Sequence, residues 1–189
     1  MELAGLIPTG PRGALAFAAA SSALLLAGAH AFEHIGGLAP CPLCLDQRQA
    51  HWAGLGVALA GLALAAAFKA KRVAAAAAGA CALVYLFSAG LAFYHAGVEH
   101  KFWPGPTTCS GAGPVSLDPS ALDAVLKGAA PVVSCTEAAW TLFGVSMAGY
   151  NLLASAALFA LCAVAAARAI GEARSAARPR ARNDRKVSA

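Results

Sequence analysis

Residues 50–94 read AHWAGLGVALAGLALAAAF (50–68), KAKR (69–72) and VAAAAAGACALVYLFSAGLAFY (73–94). Neither long run contains an Asp, Glu, Lys or Arg, and each is long enough to cross a hydrocarbon core of about 30 Å as a helix of roughly 20 residues. The cationic turn between them, Lys69, Lys71 and Arg72, cannot enter that core. The stretch therefore predicts two antiparallel transmembrane helices. Outward from it lie two more uncharged apolar runs, 14–32 and 142–167. The 189-residue chain is 59% hydrophobic and 12% charged, too little polar surface for a water-soluble domain of this length. The expectation is an all-α membrane protein, a four-transmembrane-helix bundle. Residues 1–170 make one membrane domain, and 171–189 a disordered basic cytoplasmic tail.

Charge sets the expected orientation. Arg12, the Lys69–Arg72 turn and seven basic residues from Arg168 to Lys186 fall on one side. The loops 33–49 and 95–141 carry only Arg48, Lys101 and Lys127 against six acids. The positive-inside rule then places both termini in the cytoplasm and both larger loops outside. The net charge of +5 is a topology signal that calls for a lipid bilayer and for no nucleic acid. Arg12, the first apolar run and Ala29-His30-Ala31 also resemble a signal peptide, but the run has spanning length, which favours a retained helix.

In the second outer loop, Trp103-Pro104-Gly105-Pro106 forbids regular helix. Asp118-Pro119 to Gly128 predicts a short amphipathic helix with Leu122, Val125 and Leu126 on one face. Trp52, Trp103, Trp140, Tyr94 and Tyr150 cluster at the outer boundary as an interfacial aromatic belt would.

Cys41, Cys44, Cys109 and Cys135 all fall on the outer side. The Pro40-Cys41-Pro42-Leu43-Cys44 stretch puts Cys41 near the N-cap of the second span and Cys44 in its first turn, since Pro is tolerated at the first helical position. A thiolate at a helix N-terminus is favoured by the helix dipole and becomes reactive. Arg48, one turn beyond Cys44, adds a permanent positive charge, or simply snorkels at the membrane surface. A C-x-x-C pair alone is shared by haem, zinc and redox proteins. Leu45 after Cys44 removes the haem version, and no metal site is expected. A membrane metal-binding or structural module using the four outer cysteines, with His34, His51 or His100 substituting, is the alternative from another class. Cys109 and Cys135 are either exchange cysteines or a structural clamp, and four cysteines allow three pairings. Cys81 and Cys162 lie inside spans and are expected to pack as small hydrophobes, the alternative being a relay of reducing equivalents. His95, at the outer end of the third span, is an interfacial polar residue or a hydrogen-bond donor to a ligand. No dinucleotide fingerprint is present, so a lipid-soluble quinone near Cys44 is the natural electron acceptor.

From 14 to 167 the chain resembles the DsbB family, membrane quinone reductases that reoxidise the periplasmic dithiol oxidase DsbA. The matching motifs are Pro40-Cys41-Pro42-Leu43-Cys44 with Arg48, Tyr94-His95, Trp103 to Cys109, Cys135, and Leu142 to Met147 at the start of span four. The resemblance implies an enzyme, a quinone-dependent protein-dithiol oxidoreductase of the bacterial inner membrane, supporting disulfide bond formation. It implies that Cys109 forms the mixed disulfide with a DsbA-like thioredoxin-fold partner, with Cys135 as its companion. Cys41 and Cys44 would receive the electrons and Cys44 would pass them to ubiquinone or menaquinone, with Arg48, His95 and Met147 at the quinone. Asp46-Gln47 stands where the family more often has an aromatic–acidic pair. A DsbB-like paralogue with a dedicated partner is the close alternative.

Overall fold

The computed structural model describes residues 10–109 and 133–187. Four helices dominate: α1 Pro11–His34, α2 Pro42–Ala67, α3 Lys71–Glu99 and α4 Met147–Val187. All four carry stretches long and apolar enough to cross a membrane, α4 through Met147–Ala177. The expected four-helix membrane bundle is the architecture found. The amphipathic helix expected near 118–128 lies outside the described residues.

The chain punctuates its helices where its chemistry requires. Pro42 opens α2 with Cys41 as N-cap, its Sγ accepting from the Cys44 N–H at 3.3 Å. α2 and α3 each end by turning a lysine left-handed, Lys69 (φ 47°) and Lys101 (φ 61°), positions more often taken by glycine. The 6→1 bonds Ala70 N–H to Ala65 O (3.2 Å) and Phe102 N–H to Gly97 O (2.9 Å) close both ends.

Two boundaries differ from the sequence reading. The fourth span starts at Met147 rather than 142, because residues 141–146 form a two-stranded hairpin, β1 Thr141–Leu142 and β2 Val145–Ser146, paired Thr141↔Ser146. Phe143 (φ 49°) and Gly144 (φ 77°) supply the left-handed turn such a hairpin needs. At the other end, backbone helix continues to Val187 through the stretch expected to be disordered. Its Ala, Arg and Glu content carries high helix propensity, which favours continuing the helix.

The bundle is held by small residues. Ala18, Ala58, Ala65, Ala74, Ala78 and Cys81 are buried together around Leu15, Tyr85, Leu158 and Cys162. A Cβ on Gly61 would stand 2.3 Å from the Ala77 Cβ, and one on Gly54 would stand 2.8 Å from the Tyr85 hydroxyl. These glycines let α2 and α3 approach closely, as van der Waals packing in lipid demands. Large apolar side chains point outward instead, with Leu24, Leu83, Phe87 and Phe93 all more than half exposed. Cys81 and Cys162 are both fully buried in this core, and Cys81 Sγ donates to Gly54 O at 3.8 Å.

Candidate functional site

At the end of the bundle opposite the Lys69–Arg72 turn, two cysteine pairs meet. Cys109 and Cys135 form a disulfide, whereas Cys41 and Cys44 are free thiols whose sulfurs lie 2.9 Å apart. Cys41, Cys109 and Cys135 belong to one buried cluster with Leu43 and Val98, against which Cys44, Leu91, Tyr94 and Trp103 pack.

Trp103 is what brings the loop there. Its ring lies where Gly97 has no side chain, since a Cβ on Gly97 would stand 2.0 Å from it. Its indole N–H donates to Tyr94 O at 2.8 Å, and Tyr94 Oη returns a bond to Pro104 O at 3.1 Å. The Trp-Pro-Gly-Pro segment therefore folds back on α3 and delivers the 3-10 turn Thr107–Cys109 to α2. Trp103, one of the aromatic residues expected at the outer boundary, packs on α3 as a strut. Cys109 and Cys135 are fully buried.

The free pair has a definite polarity. Cys41 donates its S–H to Cys44, and that bond, followed by burial, pushes the Cys41 thiol well above the ordinary range. Cys44 is half-buried and is the accepting sulfur, the place where thiolate character collects.

Behind Cys41 runs a line of hydrogen bonds through all four helices. His95 Nε2 lies 3.6 Å from Cys41 Sγ, and Gln47 Nε2 lies 2.7 Å from His95 Nδ1. Asn151 Nδ2 donates to Gln47 Oε1 at 2.6 Å, and His51 Nε2 meets Asn151 Oδ1 at 2.7 Å. Ser22 Oγ then bonds His51 Nδ1 (3.1 Å) and Tyr85 Oη (2.9 Å). The amides fix the protons. Asn151 Oδ1 only accepts, so neutral His51 carries its proton on Nε2, and Nδ1 accepts from Ser22. Gln47 Oε1 is taken by Asn151, so its amide N–H donates to His95 Nδ1, leaving the His95 proton on Nε2 toward Cys41. From Ser22 to Cys44 every donor points the same way, while the Tyr85 hydroxyl also donates to Ala18 O at 3.3 Å.

Two carboxylates complete the surroundings. Glu99 accepts a hydrogen bond from Ser146 and lies 3.8 Å from His95 Nε2. Glu33 on α1 pairs with Arg48, whose guanidinium also donates to Ala29 O at 3.0 Å. Arg48 is thus anchored to α1, a partner that its one-turn spacing from Cys44 did not reveal. Met147 opens α4 next to Ser146 and is half-buried.

Sequence reading singled out Cys41, Cys44, Arg48 and His95, but missed Glu33, Gln47, Glu99 and Asn151 as site residues. A legible signal was there: Gln47–His51, His95–Glu99 and Asn151–Ser155 are polar pairs one turn apart at the outer ends of long apolar runs. The four-cysteine metal arrangement is not what forms, because the two loop sulfurs are bonded to each other. Cys41, Cys44 and His95 do place three ligand atoms within 4.8 Å of one another.

Four membrane-crossing helices, with a dithiol at one helix N-terminus packed against a loop disulfide, define a membrane protein of thiol–disulfide exchange. A family model agrees: residues 11–165 match "Disulfide bond formation protein DsbB". The chain belongs to the DsbB family and is a multi-pass membrane disulfide oxidoreductase of disulfide bond formation. Searches of curated proteins and of solved structures return no match.

Proposed function

We propose that this protein oxidises a DsbA-like, thioredoxin-fold dithiol protein at the outer face of the bacterial inner membrane and passes the electrons to a membrane quinone. The observation that carries the reading is the packing of the Cys109–Cys135 disulfide into the same cluster as the Cys41–Cys44 dithiol. Exchange between pairs needs sulfurs that can reach one another.

The steps balance as follows. A partner thiolate attacks Cys109, breaking the Cys109–Cys135 bond and forming a mixed disulfide. The partner's second thiol resolves it, leaving as an oxidised protein and reducing the loop pair. The loop dithiol then reduces a Cys41–Cys44 disulfide, and two electrons and two protons now reside on that pair. The described arrangement, loop oxidised and Cys41–Cys44 reduced, corresponds to the end of this sequence. Because Cys109 and Cys135 are buried, the first step requires the loop to lift from Val98 and Trp103.

A quinone bound beside Cys44 supplies the two-electron, two-proton sink. The residues present suit such a group. Cys44, Arg48 and Trp52 recur at i, i+4, i+8 on one face of α2, combining a partly open sulfur, a cation and an apolar ring that is 49% exposed. Arg48 donates to Glu33 and Ala29 with only part of its five-donor guanidinium, so further donors remain for a carbonyl oxygen. His95 holds an N–H at Cys41, and Glu99 beside it is placed to receive a proton as the dithiol is oxidised. Met147 lies on the α4 side of the same bundle end.

The orientation follows from charge: Arg12, Lys71, Arg72, Arg168 and Arg174 line a cleft of about 1250 Å³ at the other end, the side expected in the cytoplasm. The deciding experiment is anaerobic incubation of the purified protein with a reduced DsbA-like protein and ubiquinone. Quinol and oxidised partner should form in equal amounts. Partner oxidation without quinol, or no oxidation at all, overturns the reading.

A further inference from the structure

The last turn of α1 carries His30-Ala31-Phe32-Glu33-His34, two histidines at i, i+4 with a carboxylate between them in sequence. The redox chemistry proposed above uses none of the three as a reacting group. Their rings and carboxylate are nonetheless gathered. The two imidazoles lie nearly parallel, 4° apart with centroids at 5.8 Å, and His30 Nδ1 is 4.0 Å from Glu33 Oε2. One ligand atom from each of the three falls within 4.8 Å of the others.

We infer that His30, Glu33 and His34 form a binding site for one divalent ion of the zinc class, and that this ion competes with Arg48 for Glu33. Two histidines one helical turn apart converge on a single ion, the arrangement used by helical zinc sites. Zinc bonds of about 2.0 Å set donor separations of roughly 3.3 Å, so the side chains must close by about an ångström or more. They are free to do so: the His30 side chain is 45% exposed and Glu33 27%. The fourth position is left to water, as three-ligand sites leave it. Two imidazoles and one carboxylate suit zinc, copper or nickel, and are a poor set for magnesium or calcium, which demand oxygen donors.

The competition comes from the geometry of Glu33. The same Oε2 that faces His30 is bound by the Arg48 guanidinium. A carboxylate oxygen shared between an arginine and a metal gives less to each. Removing the arginine should therefore strengthen metal binding, an outcome that incidental histidine proximity would not produce.

The test is calorimetric titration of the full-length protein in lipid nanodiscs with zinc chloride, both cysteine pairs held as disulfides so that no thiolate competes. One zinc per chain is expected, undisturbed by excess magnesium. His30→Ala and His34→Ala should each weaken binding at least about tenfold, the size that second-shell changes alone reach. Arg48→Ala should tighten it about two- to fivefold, the weight of a partly exposed ion pair. His100→Ala, elsewhere at the same end, should leave the isotherm unchanged. Absence of stoichiometric zinc, or an isotherm insensitive to His30→Ala and His34→Ala, overturns the site. Unchanged or weaker zinc binding in Arg48→Ala overturns the competition. Every readout is binding, so it stands or falls separately from the quinone chemistry.

Discussion

At the scale of the residue, the two thiols of the C-x-x-C pair are not equivalent. Cys41 is N-cap, buried, donor to Cys44 and pushed upward, so it stays protonated through neutral pH. Cys44 receives that donor and is half-buried, less enclosed than Cys41. Brief treatment of the reduced protein with a maleimide at pH 7 should therefore label Cys44 well ahead of Cys41. Peptide mass spectrometry reads the order, and equal labelling would contradict it. The sign follows from the shift: a raised thiol reaches thiolate only as pH climbs through its higher value, so Cys41 labelling should rise on moving toward strongly alkaline buffer. Cys44→Ser should abolish quinol formation while leaving the Cys109–Cys135 disulfide intact, which a thiol count of the purified variant would verify. Asn151 holds both His51 and Gln47, so Asn151→Leu strands a donor and an acceptor in the bundle interior. A loss of about 1–2 kcal/mol in unfolding stability is expected, within the range for interhelical hydrogen bonds in membranes.

At the scale of the element, close approaches rather than strong contacts decide how the pieces meet. Gly97 is the seat of Trp103, and Trp103 is what carries Cys109 to α2. Gly97→Ala should displace the indole, red-shift tryptophan fluorescence and slow transfer between the two cysteine pairs, while leaving Cys41–Cys44 chemistry with small thiols intact. Loss of both activities alike would point to general unfolding. Gly61→Val puts methyl groups into the 2.3 Å gap to Ala77 and should cost about 1–3 kcal/mol by overpacking, seen as a lower melting temperature in detergent. The hairpin 141–146 shows why the start of α4 was misplaced: Leu142 and Phe143 satisfy hydropathy, but Gly144 beside Phe143 permits a left-handed turn that hydropathy does not register.

At the scale of the whole molecule, the bundle sorts chemistry by end. Thiols, carboxylates and aromatic rings gather at the α2 N-terminus, and cations gather at its C-terminus. Between them lies a core of alanines crossed by a polar line in which no buried side-chain N or O lacks a partner among the described residues. Cys81 and Cys162 belong to that core and sit apart from the exchange cluster. The double variant Cys81→Ala, Cys162→Ala should keep full thiol oxidation and quinol formation at somewhat reduced stability. A lost activity there would instead support a relay through the membrane.

The number of spans and the helix-end position of the C-x-x-C pair are legible in the sequence, because they follow from local quantities: apolar length, charge and proline placement. The Lys69–Arg72 turn and Pro42 are legible without any neighbour. Which side chains share a site depends on how the helices pack. Gln47, an apparent departure from the family pattern, proves to hold His95, and Arg48 reaches back to Glu33 on another helix. Such partnerships depend on helix rotation and crossing, which small residues such as Gly54, Gly61 and Gly97 set through three-dimensional contact. Two cysteine pairs more than 60 residues apart at their nearest members, Cys44 and Cys109, become one cluster for the same reason.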